Sequence, residues 1–189
     1  MGKFELYDID LKNLTPGVHE FQYLLENAFF VDIEGPEVQK GKVNVHLTVT
    51  GTTSSLFDMN FELDGVVEVP CDRCLEEMEI PIKTHNRLIA KFGKEYGEEN
   101  DEVIIIPEDE GSINIAWFLY EFIALAIPMK HVHAPGECDQ TMVSKLKEHT
   151  AGNRDEEDDD LTSEGVDERS DVNDPRWNAL KGLLENDNN

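Results

Sequence analysis

Three cysteines and two histidines are the residues of this chain whose type and spacing could do chemistry. Cys71 and Cys74 form a Cys-x-x-Cys within Val69-Pro70-Cys71-Asp72-Arg73-Cys74-Leu75, and the third cysteine, Cys138, follows His131 and His133 far downstream. Two thiolates on a tight hairpin can point at one ion, and a tetrahedral structural zinc site needs two more ligands. Cys138 offers a third, and His131 or His133 a fourth. The competing reading is inert: two half-buried thiols at a turn and an unrelated surface cysteine.

Two other chemistries fit less well. Thioredoxin-like redox sites place their Cys-x-x-Cys at a helix N-terminus after a strand, whereas strand patterns flank Cys71 and Cys74 on both sides. Pro70-Cys71-x-x-Cys74 also echoes the zinc deaminases, whose reaction needs an upstream His-x-Glu as proton carrier. The upstream histidines read His19-Glu20-Phe21 and His46-Leu47-Thr48, so that group is missing. No Gly-rich phosphate loop, Ser nucleophile elbow or carboxylate constellation stands out. His46 and His85 lie inside alternating segments and read as surface histidines.

The elements that must position the thiols are mostly strands. Val43, Val45, Leu47 and Val49 alternate with polar residues, and so do Phe57, Met59, Phe61 and Leu63. This is the period of half-buried antiparallel strands. Gly65 predicts a bulge or a close approach before Val66–Val69. Met78, Ile80 and Ile82 resume the alternation, so Cys71–Leu75 becomes the tip of a hairpin. Earlier, Asp8–Leu11 reads as a short edge strand, and His19, Phe21, Tyr23 and Leu25 as a longer one. Phe29–Ile33 continues that strand or starts another. Residues 92–101 are charged and read as a loop, and Val103–Ile106 as a short strand ended by Pro107. Ile115, Leu119, Phe122 and Ala126 then fall on one helical face, widened by Trp117, Phe118 and Ile123, with Ser112 or Asn114 as the cap and Pro128 as the stop. This helix could return the chain to the hairpin tip and so deliver the histidines and Cys138.

Composition bounds the rest. The chain has 189 residues, 16 Lys and Arg against 41 Asp and Glu, a formal charge of -25, 39% hydrophobic and 30% charged residues. That is one domain with appendages. The acid-rich stretch from Arg154 to Asp174 has almost no apolar content and reads as a disordered linker. Asp174 as N-cap, Pro175 in the first turn, and Trp177, Leu180 and Leu184 on one face predict a short terminal helix. The expected organisation is therefore an α+β domain over 1–149, an acidic disordered linker over 150–173 and a short C-terminal helix over 174–186. Within the domain, a curled or barrel-like antiparallel sheet packs with one main helix.

So much negative charge argues against unaided binding of a phosphate backbone and fits a basic protein partner. Lys83, Arg87, Lys91 and Lys94 form the one candidate basic patch. The first residues carry no apolar signal-peptide core, and the apolar run from Ile113 to Ile127 is too short to span a bilayer. Three cysteines do not make an extracellular disulfide framework. The expectation is a cytoplasmic protein with no membrane partner and no small-molecule substrate.

The residues resemble the YceD family of large ribosomal RNA subunit accumulation proteins. A Gly-x-Val strand region leads into Cys71-Asp72-Arg73-Cys74-Leu75, similar to the family's Cys-x-Arg-Cys-Leu. An apolar helix with an acidic residue ends at Pro128. Pro128, His133 and Cys138 match a Pro-x4-His-x4-Cys arrangement. Asp174-Pro175-Arg176-Trp177-x-x-Leu180-x-x-Leu183 is similar to the family's C-terminal tail. The resemblance runs from about Gly35 to Leu184 and favours His133 over His131 as a ligand, giving Cys71, Cys74, His133 and Cys138 as the candidate zinc set. It implies a non-enzymatic role in accumulation of 23S ribosomal RNA and assembly of the large ribosomal subunit. The family's genes typically lie beside that of a zinc-ribbon ribosomal protein. Partners implied are the large-subunit precursor, a basic ribosomal protein or 23S ribosomal RNA. The alternative is an acidic, zinc-stapled interaction module that chaperones a basic partner outside ribosomal RNA metabolism.

Overall fold

The computed structural model describes residues 2–149 apart from 54 and 101. The expected linker over 150–173 and helix over 174–186 lie outside the described residues. The architecture is mixed α+β, built on a meander of long antiparallel strands: β2 (Gly17–Leu25), β3 (Lys40–Thr53), β4 (Leu56–Pro70) and β5 (Glu77–Gly93). Their register sets Val45 opposite Leu63, Leu47 opposite Phe61 and Met59 opposite Leu88. The alternating apolar residues therefore fall on one face and are buried, while the opposite parity carries the polar residues. Gly65 marks a close approach. A Cβ there would run into the backbone of Lys42 and Val43 on the neighbouring strand. The register passes through Val43 and Gly65 without a break, and its one irregularity in this pair falls between Gly51 and Thr53.

Beyond β5 the sheet continues with β7 (Val103–Pro107), which pairs parallel to β5, and with β6 (Gly97–Asn100), antiparallel to β7. The sequence reading of 92–101 as a loop is thus corrected: β5 runs to Gly93, and Gly97–Asn100 forms an edge strand. Its acidic residues hid it, because an edge strand with both sides near water has no need to alternate. The barrel-like expectation is also corrected. The order β2-β3-β4-β5-β7-β6 leaves β2 and β6 at opposite edges, unpaired with each other, so the sheet is open. Its inner face is covered by helices rather than by strands closing on themselves.

Those helices differ in part from expectation. Phe29 and Phe30 are both buried, which a strand could not arrange because it sends neighbours to opposite faces. The segment folds instead as α1 (Asn27–Ile33), ended by Glu34 in the left-handed conformation before Gly35-Pro36. The main helix, α2 (Ala116–Ala126), buries Leu119, Tyr120 and Ile123, and its Phe122 ring lies 5.2 Å from that of Phe61. The N-cap position is Ile115 rather than the expected Ser112 or Asn114, although Asn114 Oδ1 accepts the Ala116 N–H at 3.0 Å from just ahead of it. Trp117 is not part of the buried face. It is 49% exposed and donates its indole N–H to Glu121 at 2.6 Å. Ser112 is not a cap but opens β8 (Ser112–Asn114), which pairs with β1 (Asp8–Asp10) in a two-stranded ribbon joining Ile9 to Ile113.

Tyr120 fixes a further piece of chain. Its hydroxyl accepts the backbone N–H groups of Glu37 at 2.8 Å and Val38 at 3.2 Å. Its ring lies where a Cβ on Gly35 would be. The loop from Gly35 to Val38 is thereby tied to the helix just before β3 begins. A third helix, α3 (Gln140–His149), follows Cys138. Sequence reasoning missed it, although Asp139 ahead of Met142, Val143 and Leu146 is a short helix-start pattern.

Candidate metal centre

The first half of the site is the turn between β4 and β5. Cys71 donates its N–H to the Glu76 carbonyl at 2.8 Å, closing the hairpin tip, and Leu75 donates its N–H back to the Cys71 carbonyl at 2.9 Å. The Arg73 N–H points at the Cys71 sulfur at 3.4 Å. This wrapping requires a left-handed residue after the second cysteine, and Leu75 adopts it with φ 63°. Both thiols are buried.

The second half arrives from the segment after α2, held to the tip by Asp72. The Asp72 N–H donates to the His131 carbonyl at 2.9 Å, and Asp72 Oδ2 accepts the His131 N–H at 2.8 Å. The His131 ring sits with Nε2 3.5 Å from Asp72 Oδ1 and Nδ1 3.1 Å from the Pro128 carbonyl oxygen. His131 therefore positions the segment and stands outside the thiol cluster. Two residues on, His133 Nδ1 lies 3.3 Å from the Cys74 sulfur. Cys138 comes last, its sulfur 4.0 Å from that of Cys71. It is placed by the start of α3, where Asp139 Oδ1 accepts the Met142 N–H at 2.7 Å. Met78, Val132, Met142 and Val143 pack around the three thiols.

The four donor atoms of Cys71, Cys74, His133 and Cys138 all lie within 4.8 Å of one another. A tetrahedral zinc with Zn–S bonds of about 2.3 Å sets its sulfur donors about 3.8 Å apart. The Cys71–Cys138 sulfur pair at 4.0 Å is close to that value, and the Cys74 sulfur to His133 nitrogen separation of 3.3 Å is close to the roughly 3.6 Å that Zn–S and Zn–N bonds set between such a pair. Three soft thiolates and an imidazole suit zinc, and four protein donors make a closed set of the structural type. A bound ion would supply a cross-link between hairpin tip, post-helix segment and α3.

Electrostatics in the cluster favour the ligand form at Cys71. Burial pushes the Cys71 thiol up, but the backbone N–H groups of Cys74, Arg73 and His133 and the Cys74 thiol outweigh it and bring it down to about 6. His133 is raised by its contacts with the Cys71 and Cys74 thiols. Cys138 is raised, first by burial and then by those two thiols. Cys71 is thus the thiolate that a cation meets first.

The candidate basic patch looks different in three dimensions. Lys83, Arg87 and Lys91 do share the solvent face of β5, but acids answer them. Arg87 binds Asp58 with Nε at 2.9 Å and Nη2 at 2.6 Å, and Lys91 meets Glu99 at 3.0 Å. Lys83 lies opposite Asp64 in the register. Lys94 follows β5, exposed. A concavity of about 780 Å³ lies over this face between His46, Glu62 and His85, away from the thiols.

Fold and site together define an α+β protein with an open sheet and a Cys3His cluster of structural-zinc type. The family model described as large ribosomal RNA subunit accumulation protein YceD matches residues 59–184, two thirds of the chain, and the chain belongs to this family. The match begins inside β4 and includes all four clustered residues. No curated protein and no solved structure gives a match. Among the described residues, no helix is long and apolar enough to cross a membrane.

Proposed function

We propose that this protein is a non-enzymatic, cytoplasmic factor for 23S ribosomal RNA accumulation and large-subunit assembly, and that it works by holding a basic ribosomal protein on its acidic surface. The family supplies the process. The observation that carries the mechanism is the pairing of cations on the sheet: Arg87 with Asp58, Lys91 with Glu99, and Lys40 with Glu77 and Glu68. These pairs neutralise basic groups of the described sheet, in a chain whose formal charge is -25. Such a surface attracts a polycation and repels a phosphate backbone.

Zinc on Cys71, Cys74, His133 and Cys138 serves as a staple in this reading and takes no part in a reaction. Elemental analysis of metal-replete protein tests it, with about one zinc per chain expected and none in Cys71→Ser.

The partner reading is tested by mixing purified protein with separated large-subunit ribosomal proteins and, in parallel, with a 23S ribosomal RNA fragment. Capture of a basic protein that weakens steeply with added salt is expected. RNA capture that disappears in Arg87→Glu with Lys91→Glu, with no protein captured, would replace this reading by direct RNA contact.

A further inference from the structure

Leu75 poses a specific physical problem. The turn around the thiols needs a left-handed residue at this position, and glycine would fill it without strain. Leucine with φ 63° is strained there. It also leaves its side chain 66% exposed, so burial returns little. A strained, exposed leucine at a rigid tip points to a contact that the folded chain does not itself make.

The surroundings of Leu75 form a built groove. Two adjoining clefts of about 240 and 300 Å³ share Pro36, Glu37, Val69, Pro70 and Leu75 as lining, and Ile127 extends one of them. Both walls are tied down. Tyr120 holds the Glu37 and Val38 backbone on one side, and the Asp72–His131 exchange holds the other. The floor is apolar and the rim is acidic in balance, with Glu37, Glu68, Asp72 and Glu77 around it and Lys40 as its lysine, paired with Glu77 at 2.6 Å. Preorganisation of this kind reduces the entropy lost on binding.

We propose that this groove beside the metal knuckle is the docking site for an extended basic segment of a protein partner, which places an apolar side chain against Leu75 and lysines or arginines on the acidic rim. The inference rests on the reading of a basic protein partner and says where on this chain it binds. Charge selects the occupant. A segment with alternating apolar and cationic residues meets both floor and rim, whereas RNA would bring phosphates to Glu37, Asp72 and Glu77.

The test uses the full chain, zinc-loaded, and a fluorescein-labelled peptide of repeated Lys-Leu-Pro units, kept extended by its prolines. Binding is followed by anisotropy at several salt concentrations. Leu75→Gly removes the apolar anchor and the backbone strain together. It is expected to raise the melting temperature while weakening the peptide by roughly tenfold, the scale of one buried leucine side chain. Glu37→Lys with Glu77→Lys should weaken it further and flatten its salt dependence. Glu98→Lys with Glu99→Lys, on the far edge strand β6, should leave it unchanged.

The proposal is overturned if the wild-type protein does not bind the peptide, if Leu75→Gly binds as well as wild type, or if the β6 reversals weaken binding as much as those at the groove. An RNA oligonucleotide that binds with the same dependence on Leu75 would overturn it in favour of RNA. The separate failures remain distinct. Ribosomal-protein capture that survives Leu75→Gly rejects the groove and leaves the wider reading standing. Absence of any such capture rejects the wider reading, while the peptide titration still reports on the groove.

Discussion

The sheet core and the thiol cluster are two ways of holding one chain together. Over the sheet, buried Val, Leu, Ile, Met and Phe side chains pack continuously under α1 and α2, and among the described residues no polar or charged side chain is fully buried there. Around Cys71, Cys74 and Cys138, only Met78, Val132, Met142 and Val143 are at hand. Burial of apolar area can support the first. So few side chains cannot fix residues 128–149, and α3 buries none of its own residues. In the second region the Asp72–His131 exchange ties the segment to the hairpin tip, and on the proposed reading a bound zinc would supply the rest. One part of the molecule is then stable by area and the other, if the staple is present, by ligation.

That contrast can be broken by perturbing each region in turn. The largest effect belongs to the sheet. Phe61→Ala, at a fully buried position against Phe122, should lower global stability by about 3–5 kcal/mol, read as a fall in the denaturant midpoint. Zinc content should stay at one per chain up to the unfolding transition. Chelation is the reverse experiment. Amide exchange in residues 128–149 should speed up by about a hundredfold, while β3, β4 and β5 stay protected. If chelation also exposes the strands, the two regions are a single cooperative unit.

Acidity separates them more finely. In the metal-free protein Cys71 is lowered to about 6 from an ordinary thiol value near 9. Its contribution to stability is then full above about pH 9 and is lost as pH falls towards 6. Zinc affinity should fall faster with acidity below about pH 6, where protons begin to compete for this thiolate, which a pH series of zinc dissociation constants would read. The same pH dependence in Cys71→Ser would count against Cys71 as a ligand. The smallest effect is on the sheet surface. A double-mutant cycle on Arg87 and Asp58 should give about 0.5 kcal/mol, since the pair is partly exposed. Arg87 holds the Asp58 carboxyl below its usual range, so the contribution persists at neutral pH and fades only as pH falls below about 4.

The two regions also differed in how far the sequence revealed them. Val43–Val49 and Phe57–Leu63 were legible because one buried face and one wet face impose a period of two. The pattern failed where that condition failed. Adjacent Phe29 and Phe30 both turn inward on a short helix, and β6 is an edge with little to bury. The open sheet was not legible either, because closure depends on whether distant edges meet. For the thiol cluster, residue types and order pointed to the three cysteines with His131 or His133, and the family resemblance favoured His133. The roles of Asp72 and His131 were hidden, since their exchange of backbone hydrogen bonds joins segments far apart in the chain. Leu75 was hidden too, because its meaning lies in a backbone angle.

The order of pairing has a consequence for synthesis on the ribosome. Strands β2, β3, β4 and β5 each pair with the next in the chain, so this meander can form as it emerges. β1 cannot, because its partner β8 comes on the order of a hundred positions later, and Cys71 must wait 67 positions for Cys138. A nascent chain halted before α2 would carry a largely paired sheet with an uncovered apolar face, an unmatched N-terminal strand and two bare thiols. The stretch from Ser112 to His149 closes all three, so the described domain is finished only once that stretch has emerged.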